Sequence, residues 1–126
     1  MHTSALSQKV FEQLSPLAKL KLPDDHVGAF AVDMDPGEGG VNYFITHDFR
    51  PGRDGTKWRR VSVLELQLEF GTTSAAVLCN TIAADGGYGT TRGELDRMVH
   101  DVRRFLVGYI ADLKNAAPAR TAKGRK

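Results

Sequence analysis

The sequence predicts an α+β domain with a four-stranded antiparallel meander sheet. An N-terminal helix precedes the sheet in the chain and a long C-terminal helix follows it, in the order α-β-β-β-β-α. Apolar residues recur at helical spacing near both ends of the chain, and they alternate with polar residues between Arg59 and Phe70. Gly- and Pro-rich turns separate the strand candidates. Because strands joined by short loops cannot be parallel, we expect an antiparallel sheet with both helices packed on its apolar face.

The N-terminal helix is indicated by apolar residues three or four positions apart, namely Leu6, Val10, Phe11, Leu14 and Leu17. Thr3 or Ser4 is expected to cap its start with a side-chain oxygen. Pro16 has no N–H to donate, so the helix is expected to break at Ser15. Ser15 would then cap a short helical turn that ends near Leu20.

Four strands are predicted, over residues 27–34, 41–47, 59–70 and 74–83. The third is the clearest, because its leucines point one way while Glu65, Gln67 and Glu69 point the other. One face of the sheet is therefore apolar and the other polar, which is typical of an antiparallel sheet covered on one side. The fourth is apolar on both faces and is expected to be central or covered twice. It contains the only cysteine, Cys79, which we expect to be buried and unreactive.

The C-terminal helix is predicted from Arg92 to about Asn115 by a continuous apolar stripe. Thr91 and Glu94 have the spacing of a capping box, in which each side chain bonds the other residue's backbone N–H. Pro118 is expected to end the helix. These observations predict one domain over residues 1–115 and a basic, disordered tail over residues 116–126.

Charge is segregated along the chain although the net charge is only +2. Residues 50–60 hold five cations and one anion, and residues 114–126 hold five cations and no anion. The remainder holds seven cations and fourteen anions. The sequence therefore predicts an acidic body with two basic segments, and basic segments raise the local concentration of polyanions.

The basic segment before the third strand suggests single-stranded DNA or RNA as a partner. Arginine binds phosphate through paired N–H groups, and the only tryptophan, Trp58, would stack on an unpaired base. The Gly-rich segment of residues 86–93 precedes a helix, where free N–H groups attract anions, and there Tyr88 would add aromatic surface and Arg92 a cation. The predicted nucleic-acid-binding residues are Arg50, Arg53, Lys57, Trp58, Arg59, Arg60, Tyr88, Arg92, Lys123, Arg125 and Lys126. The alternatives are that Trp58 is a core residue and that the Gly-rich segment is a flexible connection.

Catalytic, metal-binding and cofactor motifs are absent from the sequence, since its histidines are scattered and no nucleophile elbow or phosphate loop occurs. We therefore expect a non-enzymatic protein, without metal or cofactor, that binds single-stranded nucleic acid with little sequence preference. The chain contains no apolar run long enough to span a bilayer and no secretory signal, so we expect a cytoplasmic protein without membrane contact.

The alternative function is a protein-interaction module, such as an adaptor, an inhibitor or a chaperone-like domain, with no nucleic-acid role. A homodimer, formed through a sheet edge or through the long helix, is one form that such a module would take. The helix–strands–helix order loosely resembles that of small secretion chaperones, in element order and not in any motif.

Overall fold

The structure, a computed structural model, describes residues 2–23, 28–37, 39–49, 59–71 and 74–124. Within these ranges, the side chains of residues 2–4, 83–86 and 116–124 lie outside the description. The elements are α1 (His2–Leu14), a 3₁₀ helix (Ser15–Lys19), β1 (Gly28–Gly37), β2 (Gly40–Phe49), β3 (Arg59–Phe70), β4 (Ala75–Cys79), β5 (Ala83–Tyr88) and α2 (Arg92–Gly124).

The strands form one antiparallel meander in the order β1-β2-β3-β4-β5. The predicted α+β class, with a helix at each end, is confirmed. The predicted strand count is wrong, because the apolar segment assigned to a single fourth strand contains a turn. The N–H of Ile82 donates to the carbonyl of Cys79 at 3.2 Å, and the chain reverses into β5. The turn was concealed because apolar residues flank it on both sides.

Glycines that resemble loop residues in the sequence are part of the sheet. Gly87 lies in β5 with φ of +75°, and a Cβ there would stand 2.1 Å from the carbonyl oxygen of Val77. Only glycine permits this close approach between β4 and β5. The predicted connection between the first two strands is also too long, since β1 and β2 pair as far as Gly37 and Gly40.

The core lies between the sheet and the two helices. In β3, Leu64, Leu66 and Leu68 are buried, whereas Glu65 and Gln67 are exposed, as the alternation predicts. The helices and β2 complete this core with buried side chains, among them Val10, Leu14, Val41, Tyr43, Ile45, Leu95, Met98, Val102 and Leu106. The sheet is thus covered by helices on one face only.

The predicted break after α1 is confirmed, but the predicted role of Ser15 is wrong. α1 ends at Leu14 and the 3₁₀ helix begins at Ser15, next to Pro16. The Ser15 hydroxyl donates to the carbonyl of Phe11 at 2.8 Å, and no side chain caps the 3₁₀ helix. A serine hydroxyl readily reaches the carbonyl four residues earlier in the chain, which explains why Ser15 bonds to Phe11 rather than capping the 3₁₀ helix. The predicted caps Thr3 and Ser4 lie among the side chains outside the description.

One of the two hydrogen bonds of the predicted capping box is present at the start of α2. The Thr91 hydroxyl accepts from the N–H of Glu94 at 3.3 Å. The Glu94 carboxylate, however, accepts from the N–H of Gly89 at 3.2 Å, so the reciprocal bond to Thr91 is a wrong prediction. The preceding segment bends the Gly89 N–H toward the helix and offers a competing donor.

The end of α2 also differs from the prediction, because the helix continues to Gly124 rather than ending near Asn115. Pro118 removes one N–H from the helix, while the neighbouring alanines favour helix strongly. The division into a domain of residues 1–115 and a basic tail of residues 116–126 stays a prediction. Neither of the two α-helices contains a segment apolar enough to cross a membrane, within the part of the chain that the structure describes.

We predict that Leu66→Asp unfolds the protein, while Gln67→Asp leaves it folded. Leu66 is 2% exposed, so an aspartate there would be an unpaired buried charge, with a cost above about 4 kcal/mol. Gln67 lies next in sequence and faces solvent. Far-UV circular dichroism and thermal denaturation would distinguish the two variants. A well-folded Leu66→Asp protein would contradict the assignment of the two faces.

Candidate functional site: the open face of the sheet

The sheet face without helices carries a row of three side chains from three adjacent strands. Asp33 of β1 lies opposite Phe44 of β2, and Phe44 lies opposite Glu65 of β3. Directly opposed residues of antiparallel strands point to the same face, about 4.5–5.5 Å apart at Cβ. A half-buried aromatic ring is therefore flanked by two exposed carboxylates. A shallow depression of about 660 Å³ lies at this row.

Further acidic residues share this face with the central row. We call the surface the acidic face and define it by Asp33, Asp35, Asp48, Glu65 and Glu69, together with Phe44 and Arg60. Five carboxylates thus stand against one guanidinium among its outward-pointing residues. The negative charge of the predicted acidic body is thus unevenly distributed, because five of its fourteen anions lie on the open face of the sheet.

Arg60 connects three strands across the acidic face. Its Nε and one terminal nitrogen each donate to Asp48 at 2.8 Å, which makes a bidentate pair between β3 and β2. The other terminal nitrogen donates to Asp33 of β1 at 3.2 Å. The hydrogen bonds from Arg60 hold the pKa of the Asp48 carboxyl below its usual value, and Asp48 in turn raises the pKa of Arg60. Among the side chains that the structure describes, the only outward cation of this face is therefore engaged by carboxylates.

The exposed cations of α2 lie on the other layer of the molecule. They are Arg92, Arg97, Arg103, Arg104 and Lys114. Arg97 is paired with Glu94 at 2.9 Å. The two layers of the domain consequently present different charge, acidic on the sheet and mixed with several arginines on the long helix.

The predicted nucleic-acid-binding residues are not brought together in the described part of the chain. Arg59 is exposed at the start of β3, and none of the described carboxylates pairs with it. Arg92 is exposed at the start of α2. The remaining predicted cations and the tryptophan lie outside the described residues or side chains, which applies to Arg50, Arg53, Lys57, Trp58, Lys123, Arg125 and Lys126.

Tyr88 does not offer the aromatic surface that the sequence predicts. It is 1% exposed, its hydroxyl donates to Asp101 at 2.6 Å, and the Arg97 guanidinium lies 4.7 Å from its ring centroid. Burial, reinforced by the bond to Asp101, raises the pKa of Tyr88. The prediction of an exposed ring is wrong because Tyr88 lies opposite Val77 in the sheet, on the core side.

The Gly-rich segment before α2 also presents less to an anion than its sequence indicates. The N–H of Gly89, a donor of the kind a phosphate would use, already donates to the Glu94 carboxylate. The hydrogen bond from Arg97, followed by that from Gly89, lowers the pKa of Glu94, so the carboxylate is charged at neutral pH. An anion arriving here would meet a negative charge.

A buried polar cluster under the sheet was not identified from the sequence. His47 is 3% exposed, and its Nδ1 lies 2.9 Å from the Tyr109 hydroxyl. The rings of Phe30 and Phe49 lie 6.0 and 4.9 Å from the imidazole, centroid to centroid. The alternation of β2 already places His47 on the face of Val41, Tyr43 and Ile45, so the pattern contained the signal for its burial. The cluster ties β2 to α2.

Cys79 is 2% exposed, as expected. Among the side chains that the structure describes, no group of three or more His, Cys, Asp or Glu residues is arranged to hold a metal ion. No protein-family model matches this chain, and comparison with curated proteins and with solved structures finds no match either.

We predict that the stability difference between the wild-type protein and Asp48→Asn is present at neutral pH and disappears in acid. The folded-state pKa of Asp48 is lowered, so the ionised carboxylate stabilises the fold above its unfolded pKa. That stabilisation is lost as the pH falls through the folded pKa, when Asp48 becomes protonated. Urea denaturation at a series of pH values would measure the difference. Asp112→Asn, at an exposed site on α2, is the control for loss of one negative charge, and its stability at neutral pH should equal that of the wild-type protein.

Proposed function

We propose that the protein is a non-enzymatic protein-interaction module whose acidic face binds a cationic polypeptide segment. The observation that carries the proposal is the cross-strand row Asp33–Phe44–Glu65, in which an aromatic ring lies between two carboxylates. The function is the one that we weighed from the sequence as the alternative to nucleic-acid binding. The distribution of charge on the sheet now favours it.

The row has the chemistry to accept a lysine or arginine side chain. A cation over the face of an aromatic ring gains about 0.5–1 kcal/mol at an exposed site, and a nearby carboxylate adds to this. The apolar stem of the same side chain would cover Phe44, which is half-buried and apolar on an otherwise polar face. One lysine or arginine side chain of the partner would therefore cover the Phe44 ring and also place its positive charge near the carboxylates.

Electrostatics on this face oppose a polyanion. A strand of nucleic acid laid across the sheet would approach Glu65, Glu69 and Asp35, while Arg60 is held by Asp48 and Asp33. A cationic segment would meet complementary charge, which increases the rate of association as well as selecting the partner.

We predict that a fluorescently labelled oligolysine peptide binds the protein, with an affinity that falls as salt is added. Glu65→Gln should weaken binding about two- to five-fold, since it removes one exposed charge pair worth up to about 1 kcal/mol. Phe44→Leu should weaken it by a similar factor through loss of the ring. Fluorescence anisotropy measures both.

The matched control is Asp112→Asn, which removes one exposed negative charge from α2 and not from the sheet. Its affinity for the oligolysine peptide should equal that of the wild-type protein within error. Equal losses in Glu65→Gln and Asp112→Asn would indicate an effect of net charge alone and would contradict a site on the sheet.

Nucleic-acid binding is a second proposal, supported by one specific observation. Arg59 is exposed with no described carboxylate as its partner, at the end of β3 that follows the basic segment of residues 50–58. Single-stranded DNA or RNA would then be bound at this end of the molecule, away from the centre of the acidic face.

We predict for this second proposal that Arg59→Ala binds labelled single-stranded DNA more weakly than the wild-type protein, without unfolding. Each lost phosphate contact should also reduce the salt dependence, by a slope of roughly 0.7 in log K against log salt. Titrations at two salt concentrations measure this, with Arg103→Ala on α2 as the control. An absence of binding by the wild-type protein at low salt would dismiss the proposal.

A further inference from the structure

Two thirds of β3 has a free edge in the described part of the structure. β4 pairs with β3 only from Gln67 to Phe70, and β4 itself ends at Cys79. The preceding residues of β3, from Arg59 to Leu66, pair with β2 on one side and have no described strand on the other. A groove of about 440 Å³ runs beside this edge and is bounded beyond it by the turn at Asn80.

The free edge has charged side chains and a β-bulge, which are two features that discourage strand pairing, but no residue that removes a backbone donor. It contains no proline or glycine, and it is long enough to pair with another chain. The outer strand β1 differs, since it carries Pro36 and outward aspartates and lies against the 3₁₀ helix. The free segment of β3 is thus less obstructed than the edge of β1.

We infer that this edge pairs with the same edge of a second copy of the chain, in antiparallel orientation, and joins two five-stranded sheets into one. The free segment then pairs with its own counterpart from Arg60 to Glu65, because the pairing of Gln67 with Leu78 already places Cys79 beside Leu66. The two-fold axis passes between Ser62 and Val63, so that Arg60 lies opposite the partner's Glu65 and Val61 opposite the partner's Leu64.

A β-bulge makes this arrangement consistent with the faces of the sheet. In a regular strand Arg60 and Glu65, five residues apart, would point to opposite faces. The ladder with β2 skips Val63, because Ile45 pairs with Leu64 and Thr46 with Ser62. The extra residue brings Arg60 and Glu65 to the same outward face, and Val61 and Leu64 to the inward face. A shift of one residue would destroy this match.

The proposed contact gives two side chains of β3 a partner, one apolar and one charged. Val61 is 40% exposed, and only Val107 is comparably exposed among the large apolar side chains in the described residues. The partner strand would cover Val61. Arg60 donates three hydrogen bonds to Asp48 and Asp33, which leaves two of its five N–H groups for a further carboxylate. The partner's Glu65 would supply that carboxylate.

The first test is the mass of the protein in solution, measured by size-exclusion chromatography with light scattering over a series of concentrations. We expect twice the chain mass of 13.8 kDa for the wild-type protein and for Val107→Lys, and a single chain mass for Val61→Lys. Both variants place lysine at an exposed valine, so they differ only in position. A wild-type monomer at every concentration, or dissociation by Val107→Lys and not by Val61→Lys, would overturn the inference.

The second test addresses the register by disulfide cross-linking. Opposed residues in an antiparallel pair have Cα atoms about 4.5–5.5 Å apart, within the range that a disulfide spans. A mixture of Ser62→Cys and Val63→Cys proteins should therefore cross-link under mild oxidation more than either protein alone, on a non-reducing gel. Val107→Cys is the control for random collision. Cross-linking of the mixture at only the control level would refute the proposed pairing.

Oligomeric state and peptide affinity are separate measurements, and the variants at Val61, Ser62 and Val63 leave the residues that define the acidic face unchanged. Glu65 takes part in both proposals, so no variant of Glu65 is used to test the edge pairing. A dimer that binds no oligolysine would refute only the proposed function. A monomer that binds oligolysine would refute only the edge pairing.

Discussion

The alternation of side chains along β3 constrains the rest of the structure, because a strand cannot bury one set of residues without presenting the other. The helices cover the face that carries Leu64, Leu66 and Leu68. Burial of these leucines stabilises the domain by roughly 1.5–3 kcal/mol each, and it leaves Glu65 and Glu69 in solvent. The composition of the acidic face is therefore decided by the packing of the core on the opposite side.

The acidic face acquires its particular chemistry from strand register rather than from sequence proximity. Asp33, Phe44 and Glu65 are separated along the chain, and only the ladders β1–β2 and β2–β3 bring them into one row. Arg60 reaches across the same ladders to Asp48 and Asp33. The face that is proposed to bind a cationic segment is thus held by hydrogen bonds between strands as well as by the core beneath it.

The elements in which apolar residues recur at a regular spacing were predictable from the sequence, and the features that depend on close packing were not. β3 has the predicted bounds, and the break before Pro16 occurs where the missing N–H requires it. The turn after Cys79 was missed because the apolar residues on both sides of Asn80 and Thr81 continue the pattern of one strand. The burial of Tyr88 was missed for a different reason, since it depends on the approach of Gly87 to Val77, which no local pattern reports. The segregation of charge along the chain was predictable from the sequence. That five of the carboxylates share one face of the sheet depends on the register of β1, β2 and β3, which the sequence does not show.

The bulge at Val63 has a consequence for how this chain tolerates changes in length. A deletion of that single residue would preserve every leucine of the core and the composition of the strand almost unchanged. It would also preserve the pairing of residues 59–62 with β2, because the ladder skips Val63, so that Arg60 would still lie opposite Asp48 and Val61 opposite His47. Loss of one residue between Leu64 and Phe70, where the ladder is regular, would instead exchange the two faces of β3 on one side of the change.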